Sequence, residues 1–184
     1  SVAATAFIEL DALTTGVVAF TSATSLTGTA AEITSVYAGN TAGTIKGLDD
    51  KALIVTDSGS VAATALIELS ALTTGGVAVS VATDVSGTTA DITAAFAGTI
   101  KGLEDKALIV TDSGSVAATA LTELSALTTG AVAVSSATNL SGTTAEIIAA
   151  YAGNTAGTIK GLEDKALTVT GSGSVAATAL TELD

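Results

Sequence analysis

Hydrophobic and polar residues form a helical pattern between residues 61 and 72. Apolar residues recur there at intervals of three and four positions, which predicts a helix with one apolar face. Ser60 precedes this stretch and is expected to cap the helix, and Gly75 follows it as a stop signal. Residues 76–81 then alternate and predict a short strand. The apolar positions of the helix are Ala62, Ala65, Leu66, Leu69 and Leu72.

A second, shorter helix is predicted after Thr88. Thr88 stands three residues before Asp91, a pattern close to the capping box. The helix then has an apolar stripe that should be buried. This stripe consists of Ile92, Ala95 and Phe96. The cap pattern recurs at Thr29 with Glu32 and at Thr143 with Glu146.

Two further strands are expected beyond this helix. Residues 99–103 predict a very short strand and residues 106–111 a stronger one, followed by a turn at residues 112–114. Gly171 stands where the earlier copies of this turn have Asp57 and Asp112. This difference indicates a turn that depends on backbone conformation more than on a carboxylate.

The elements belong to a long repeat. The string Ser-Val-Ala-Ala-Thr-Ala begins at Ser1, Ser60, Ser115 and Ser174, which defines two longer periods on either side of a shorter one. The middle period is shorter because residues 38–45 are reduced to residues 97–100, a change typical of a surface loop. The sequence therefore predicts a single repeat array over residues 1–184. Its periods are 1–59, 60–114 and 115–173, with a partial fourth at 174–184.

The order of elements predicts the fold class. Helices that alternate with short strands imply an α/β protein with parallel strands and right-handed crossovers. Because each unit resembles the next, the units are expected to stack on one another. The prediction is a repeat solenoid of alternating helices and short parallel strands.

Three motifs carry a resemblance to a known group of proteins. They are Gly-Thr-Ala-Ala-Glu at residues 28–32, Thr-Ile-Lys-Gly-Leu at residues 44–48 and Ala-Leu-Ile-Val-Thr at residues 52–56. In this combination the chain resembles the tandem repeats of very large cyanobacterial secreted or cell-surface proteins, often labelled haemolysin-like. The resemblance implies an extracellular or cell-surface location and an adhesin-like or surface-layer role. The calcium nonapeptide Gly-Gly-x-Gly-x-Asp of such proteins is absent from this sequence, so their calcium-driven folding is not carried over.

Composition excludes many kinds of chemistry. The chain has no Cys, His, Met, Trp, Pro or Arg, which removes zinc sites of Cys or His, Cys–His pairs and the Ser–His–Asp triad. Six Lys against 18 acidic residues give a net charge of −12, so nucleic acid is not an expected partner. The longest uncharged stretch, residues 124–145, is more than half polar or Gly, and membrane insertion is not expected.

The densest charge cluster is Lys-Gly-Leu-acid-acid-Lys, at residues 46–51, 101–106 and 160–165. Each acidic pair is either a calcium site, since Ca²⁺ takes six to eight oxygen ligands, or a solvated turn neutralised by its two Lys. The second interpretation is preferred because each cluster is locally neutral. The acidic pairs are Asp49-Asp50, Glu104-Asp105 and Glu163-Asp164.

Other repeated residues have two interpretations each. The remaining acids form either a cation- or glycan-binding ladder or a set of solubilising and helix-capping charges. The aromatic residues are either a platform for sugars or recurrent core residues, and one Thr per period is a sparse candidate for an ice-binding ladder. The acids include Glu9, Glu68, Glu123, Glu182, Glu32, Asp91 and Glu146, the aromatic residues are Tyr37, Phe96 and Tyr151, and the threonines are Thr56, Thr111 and Thr170.

These observations predict a non-catalytic structural repeat module of a secreted or cell-surface protein. We expect no catalytic, cofactor-binding or metal-binding residues and no cofactor, because three equivalent and self-neutralised acidic pairs do not suit glycoside chemistry. The expected partner is a second copy, bound head to tail through the uncapped terminal repeats. The alternative is a module that binds calcium weakly, or glycans, through its repeated acidic turns.

Overall fold

A computed structural model describes residues 1–171 of the chain, and it is an α/β protein. The described chain divides into two units. The first contains Ser1–Thr83 and Ala94–Leu103, and the second contains Asp84–Thr93 and the residues from Glu104 onward. The predicted α/β class with parallel strands is confirmed.

Seven strands and three helices lie in the first unit. In chain order they are β1 Val2–Ala3, α1 Ala4–Leu13, β2 Val18–Ala19, β3 Ser25–Gly28, α2 Ala30–Ala42, β4 Ile45–Lys46, β5 Ala52–Val55, β6 Ser60–Ala62, α3 Ala63–Leu72 and β7 Val77–Val79.

The second unit repeats these elements. They are β8 Asp84–Gly87, α4 Thr89–Ala97, which contributes residues to both units, β9 Ala107–Val110, β10 Gly114–Ala117, α5 Ala118–Leu127, β11 Val132–Val134, β12 Ala137–Gly142, α6 Thr144–Ala156, β13 Ile159–Lys160 and β14 Ala166–Val169.

Every strand pair within each unit is parallel, and successive strands of a sheet come from successive coils, a coil being one helix with its flanking strands. The first unit has a sheet in the order β1-β3-β5-β7 and a pair β2-β4, and the second unit has runs β8-β9-β11-β13 and β10-β12-β14. In the first sheet Val2 stands opposite Leu26, Leu26 opposite Leu53 and Leu53 opposite Val77. Each strand of this sheet therefore pairs with its partner across an intervening helix.

The core is built from the alternate residues of these short strands and one face of each helix. Leu53 and Val55 of β5 are fully buried, as are Leu108 and Val110 of β9. Burying such an aliphatic side chain contributes about 1.5–3 kcal/mol. Within residues 1–171 no polar or charged residue is buried, so the backbone ladders and apolar side chains stabilise the interior.

The predicted capping boxes are confirmed at two helices. Thr29 Oγ1 accepts from the Glu32 amide at 3.2 Å, while Glu32 Oε2 accepts from the Thr29 amide at 2.8 Å. Thr143 and Glu146 form the same box at α6. At α4 the shorter Asp91 accepts from the Thr88 hydroxyl instead, at 2.7 Å.

The turn after β5 uses its carboxylate, contrary to the sequence interpretation. Asp57 Oδ2 accepts from the Ala30 amide at 2.7 Å, and Asp112 Oδ2 accepts from the Thr89 amide at 2.7 Å. Both amides lie at helix N-termini, where backbone donors lack partners within the helix and negative charge is favoured. Asp57 and Asp112 are therefore helix caps supplied by the turn that follows the next strand of the sheet.

The helix that follows each Ser-Val-Ala string within residues 1–171 begins later than predicted. Ser60 is not its N-cap, because residues 60–62 form β6 and Ala62 precedes the helix without a side-chain cap. The buried face consists of Ala63, Leu66 and Leu69, whereas Ala62 is exposed and Leu72 is 38% exposed. Val61 is buried as part of the strand, and strand geometry turns its neighbours outward.

The four-residue difference between periods lies in a helix and not in a surface loop. α2 and α6 have 13 residues each, whereas α4 has nine. Four residues are close to one helical turn of about 3.6 residues. Their loss removes one turn from the C-terminal end of α4, and Lys101 still pairs with Ala78 as Lys160 pairs with Ala133.

Replacing Leu121 by alanine is expected to lower the free energy of unfolding by about 2–5 kcal/mol, because this α5 side chain is fully buried. Leu127→Ala on the same helix is the matched control, since Leu127 is 39% exposed. The control should lose less than about 1 kcal/mol. Chemical denaturation measures both, and equal losses would contradict the assigned core face.

Candidate functional site

The acidic turns that precede β5, β9 and β14 are the most strongly repeated polar feature. In the first turn the Lys51 amide donates to the Leu48 carbonyl at 3.0 Å, which closes the turn around a fully buried Leu48. Lys51 Nζ lies 2.7 Å from Asp50 Oδ1. The corresponding pairs are Lys106 with Asp105 at 3.0 Å and Lys165 with Asp164 at 2.7 Å.

The first acid of the turn contacts the preceding helix. Asn40 Nδ2 donates to Asp49 Oδ1 at 3.3 Å, and Asn154 Nδ2 donates to Glu163 Oε1 at 3.1 Å. The side chain of Asn therefore bridges helix and turn in the first and third periods.

A tyrosine of the preceding helix hydrogen-bonds to the same turn in the first and third periods. The Tyr37 hydroxyl donates to the Leu48 carbonyl at 2.8 Å, and the Tyr151 hydroxyl donates to the Leu162 carbonyl at 2.9 Å. Tyr37 is 4% exposed, and burial raises its pKa, with smaller contributions from Asp49 and Asp50. The buried position supports the core interpretation of Tyr37, since a sugar platform needs an exposed ring.

The turn lysines lower the pKa of their acidic neighbours. Hydrogen bonding and charge from Lys51 lower the pKa of Asp50, and Lys165 does the same for Asp164. The pKa of Glu163 is lowered first by its own backbone amide and then by Asn154. These carboxylates stay ionised and lie on the surface.

Within the described residues, the backbone of the first and second turns binds a segment of the next period. Thr73 Oγ1 donates to the Lys51 carbonyl at 2.6 Å, and the Thr74 amide donates to the Asp49 carbonyl at 2.8 Å. In the second unit Thr128 Oγ1 donates to the Lys106 carbonyl at 2.6 Å, and the Thr129 amide donates to the Glu104 carbonyl at 2.8 Å.

Glycine at the end of Thr-Thr-Gly allows this segment to approach the backbone of the turn closely. A Cβ on Gly75 would lie under 3.0 Å from the Lys51 carbonyl carbon, and a Cβ on Gly130 would lie under 3.0 Å from the Lys106 carbonyl oxygen. The hydroxyl of Thr73 also accepts from the Gly75 amide at 2.9 Å, which fixes the shape of the segment. The Thr-Thr-Gly sequence is therefore matched to the turn.

Strand pairing extends the contact. The Leu53 amide donates to the Gly76 carbonyl at 2.9 Å, and the Ser80 amide donates to the Val55 carbonyl at 3.1 Å. We call residues 49–55, 104–110 and 163–169 the acceptor segments. We call residues 14–20, 73–79 and 128–134 the donor segments. Two acceptor–donor pairs are joined within the described chain, 49–55 with 73–79 and 104–110 with 128–134.

The acidic turns are visible in the sequence, but their use as backbone acceptors is not. The acceptors are carbonyl oxygens, which every residue carries, so side-chain chemistry did not reveal them. The signal that could have found the donor is Thr-Thr-Gly itself, which occurs in each full period, at residues 14–16, 73–75 and 128–130.

The acidic residues outside the turns do not form a metal site in the described chain. Residues 1–171 contain no group of three or more acidic residues that could hold a metal ion. Glu32 and Glu146 cap helices, Glu9, Glu68 and Glu123 are exposed, and Glu182 lies outside the described residues.

The threonines of the proposed ice-binding ladder are not aligned in the second unit. Thr111 follows β9 and Thr170 follows β14, and these strands belong to separate runs. Phe96, the third aromatic candidate, is half-buried.

No helix in the described part of the chain is long and apolar enough to span a membrane. No protein-family model, curated protein or solved structure matches the chain.

Gly130→Ala is expected to lower the free energy of unfolding by about 1–3 kcal/mol, because the added Cβ would meet the backbone of Lys106 at under 3.0 Å. Gly98→Ala is the control, since a Cβ there would lie 3.4 Å from its nearest neighbour, the Ala95 carbonyl. Thermal and chemical denaturation compare the two. A neutral Gly130→Ala would show that the donor segment does not need this close approach.

Lys165→Met is expected to raise the pKa of Asp164, because the lysine holds that pKa below its ordinary value. A lowered pKa in the folded state stabilises the protein above the ordinary carboxyl pKa, and this contribution is lost as the pH falls through the folded value. Carboxyl NMR titration measures the shift. Lys46→Met, in the first period, should leave the pKa of Asp164 unchanged, and an unchanged Asp164 in both variants would contradict the pairing.

Proposed function

We propose that the chain is a non-catalytic structural module of a secreted or cell-surface array, built as an α/β solenoid and associating end to end. The observation that carries this proposal is the acceptor–donor contact, which has the same hydrogen bonds and register in each unit. A module whose repeats bind their successors in one way can be extended by adding repeats.

The regular pairing of the strands supports stacking. Strand partners are separated by one helix in both units, and each pair is parallel. Residues of one period therefore complete the sheet of the next, as in repeat proteins whose units depend on their neighbours. A solenoid follows when this step is continued along the chain.

Exposed leucines in the first period support association at the end of the array. Leu10 is 50% exposed, whereas its equivalents Leu69 and Leu124 are fully buried. Leu13 is 83% exposed, against 38% for Leu72 and 39% for Leu127. A repeat packed before the first one would cover these side chains, in the way that α2 packs against α3 in the first unit.

The charge distribution suits an array. The chain has a net charge of −12, and such self-repulsion keeps a sequence rich in Ala and Val soluble while its specific contacts form. The acidic turns then have a structural use, because their backbone carbonyls bind the donor segments. The resemblance of the repeats to those of large surface proteins supports secretion or display at the cell surface.

Tandem duplication of residues 60–114 tests the proposal. One added period supplies two coils, so a solenoid should lengthen by about 10 Å, at about 4.8 Å per strand spacing. Small-angle scattering measures the maximum dimension, and denaturation should still show one cooperative transition.

Duplication of residues 60–88 is the control, because it joins unlike elements and leaves a donor segment without its acceptor. It should destabilise the chain. If the full-period duplication instead adds about 25 Å, the diameter of a separate globule of this length, with its own unfolding transition, the solenoid is wrong.

A further inference from the structure

We propose that the donor segment 14–20 of one copy docks on the acceptor segment 163–169 of a second copy, in the register that joins repeats within the chain. This inference rests on the proposed end-to-end association and names the contact through which it occurs. The partner is a second copy of this chain, because the two segments are copies of elements that already bind each other twice.

The acceptor segment 163–169 is folded like its bound equivalents. The Lys165 amide donates to the Leu162 carbonyl at 3.1 Å, and Lys165 Nζ lies 2.7 Å from Asp164 Oδ1. The Tyr151 hydroxyl supports the turn from the helix, as Tyr37 does in the first period. The turn therefore has its binding conformation before any donor is present.

The sheet edge beside this turn is open in the described chain. β14 is the last strand in the order β10-β12-β14. Leu167 and Val169 are only half-buried there, whereas Leu53 and Val55, their equivalents in β5, are fully buried beside β7. A strand added at this edge would complete their burial.

The donor segment 14–20 is also preformed. Thr14 Oγ1 accepts from the Gly16 amide at 2.9 Å, the same bond that shapes the segments at Thr73 and Thr128. The amides of Val18 and Phe20 donate to the Thr44 and Lys46 carbonyls, so one edge of β2 is occupied. β2 has only β4 as its partner in its two-stranded sheet within residues 1–171, which leaves the other edge for an acceptor.

The internal contacts fix the register. Leu53, Ile54 and Val55 stand opposite Val77, Ala78 and Val79. By equivalence Leu167, Thr168 and Val169 of one copy stand opposite Val18, Ala19 and Phe20 of the other. The Leu167 amide then donates to the Val17 carbonyl, and Thr14 Oγ1 donates to the Lys165 carbonyl.

Helix packing at the contact follows the same equivalence. Within the first unit α2 packs against α3, whose Leu69 is fully buried. α6 of one copy corresponds to α2, and α1 of the incoming copy corresponds to α3. The docked helix therefore covers Leu10 and Leu13, which are exposed in the single chain.

The two docking surfaces come from opposite parts of the sequence. Residues 174–184 lie outside the described residues, and their sequence matches residues 1–11 at nine of eleven positions. Because the two surfaces differ, each copy keeps one free end and the assembly is open-ended.

Gly16→Ala tests the contact without disturbing the single chain. In the chain itself a Cβ on Gly16 would meet only the Thr14 hydroxyl, at 3.3 Å, whereas at the bound equivalents Gly75 and Gly130 it would meet acceptor backbone at under 3.0 Å. Light scattering up to millimolar concentration should show mass rising with concentration for the unaltered chain. Gly16→Ala should weaken association at least tenfold with an unchanged melting temperature, and Gly98→Ala should associate normally.

Cysteine cross-linking tests the register, since the chain has no cysteine of its own. Thr168 and Ala19 are both exposed, so each can be replaced with little effect on the core. A mixture of the single variants Thr168→Cys and Ala19→Cys should form a mixed disulfide under mild oxidation, identified by mass spectrometry of the linked peptides. Thr168→Cys mixed with Val18→Cys is the control, because Val18 faces the other side of the sheet.

The outcomes separate the two proposals. If the unaltered chain associates but Gly16→Ala associates equally and both cysteine mixtures cross-link alike, this contact is wrong and association uses another surface. A chain that stays monomeric at millimolar concentration overturns the contact and end-to-end association together. The solenoid is tested independently by the duplication of residues 60–114.

Discussion

Parallel pairing between strands of successive coils is the constraint on which the rest of the structure depends. A strand this short cannot satisfy its own backbone donors and acceptors, and burying them unpaired is costly. Each strand therefore needs the next coil of the chain to complete it. The acidic turn and the Thr-Thr-Gly segment set where that next coil lies, because Thr73 and Thr74 donate hydrogen bonds to the turn carbonyls of Asp49 and Lys51 beside the paired strands.

The composition follows from this constraint. Close approach of successive coils requires small residues at the contact, which Gly75 and Gly130 supply directly. Alanine at the helix starts has a similar role, since Ala63 and Ala118 are fully buried. Large aromatic side chains would hold the coils apart, and only 3% of the residues are aromatic. The interior is thus narrow, repetitive and rich in Ala, Val and Leu.

Sequence patterns predicted the features that depend on local spacing. The second helix type, its capping boxes at Thr29 and Thr143 and the strand that follows each acidic turn were all visible as short motifs. The strands at Ser-Val-Ala and before each capping box were missed, because they are short, rich in Ser, Thr and Gly, and owe their extended form to a partner in the next coil. For the same reason Ser60 was mistaken for a helix cap. The hydrogen bonds between the turns and the donor segments were not predicted, because their acceptors are backbone carbonyls.

The loss of one turn from α4 has a consequence for how these sequence repeats can vary in length. Removing four residues shortens one helix end, and the chain after α4 still reaches Ala78 through a single bridge at Lys101, where β4 and β13 form two-residue strand pairs. Deletions or insertions of about 3.6 residues at this helix end, or multiples of it, let the chain leave the helix in the same direction, whereas other lengths rotate the exit point around the helix axis. Variation among repeats is therefore expected to come in discrete increments, and the helix works as the adjustable part of an otherwise fixed scaffold.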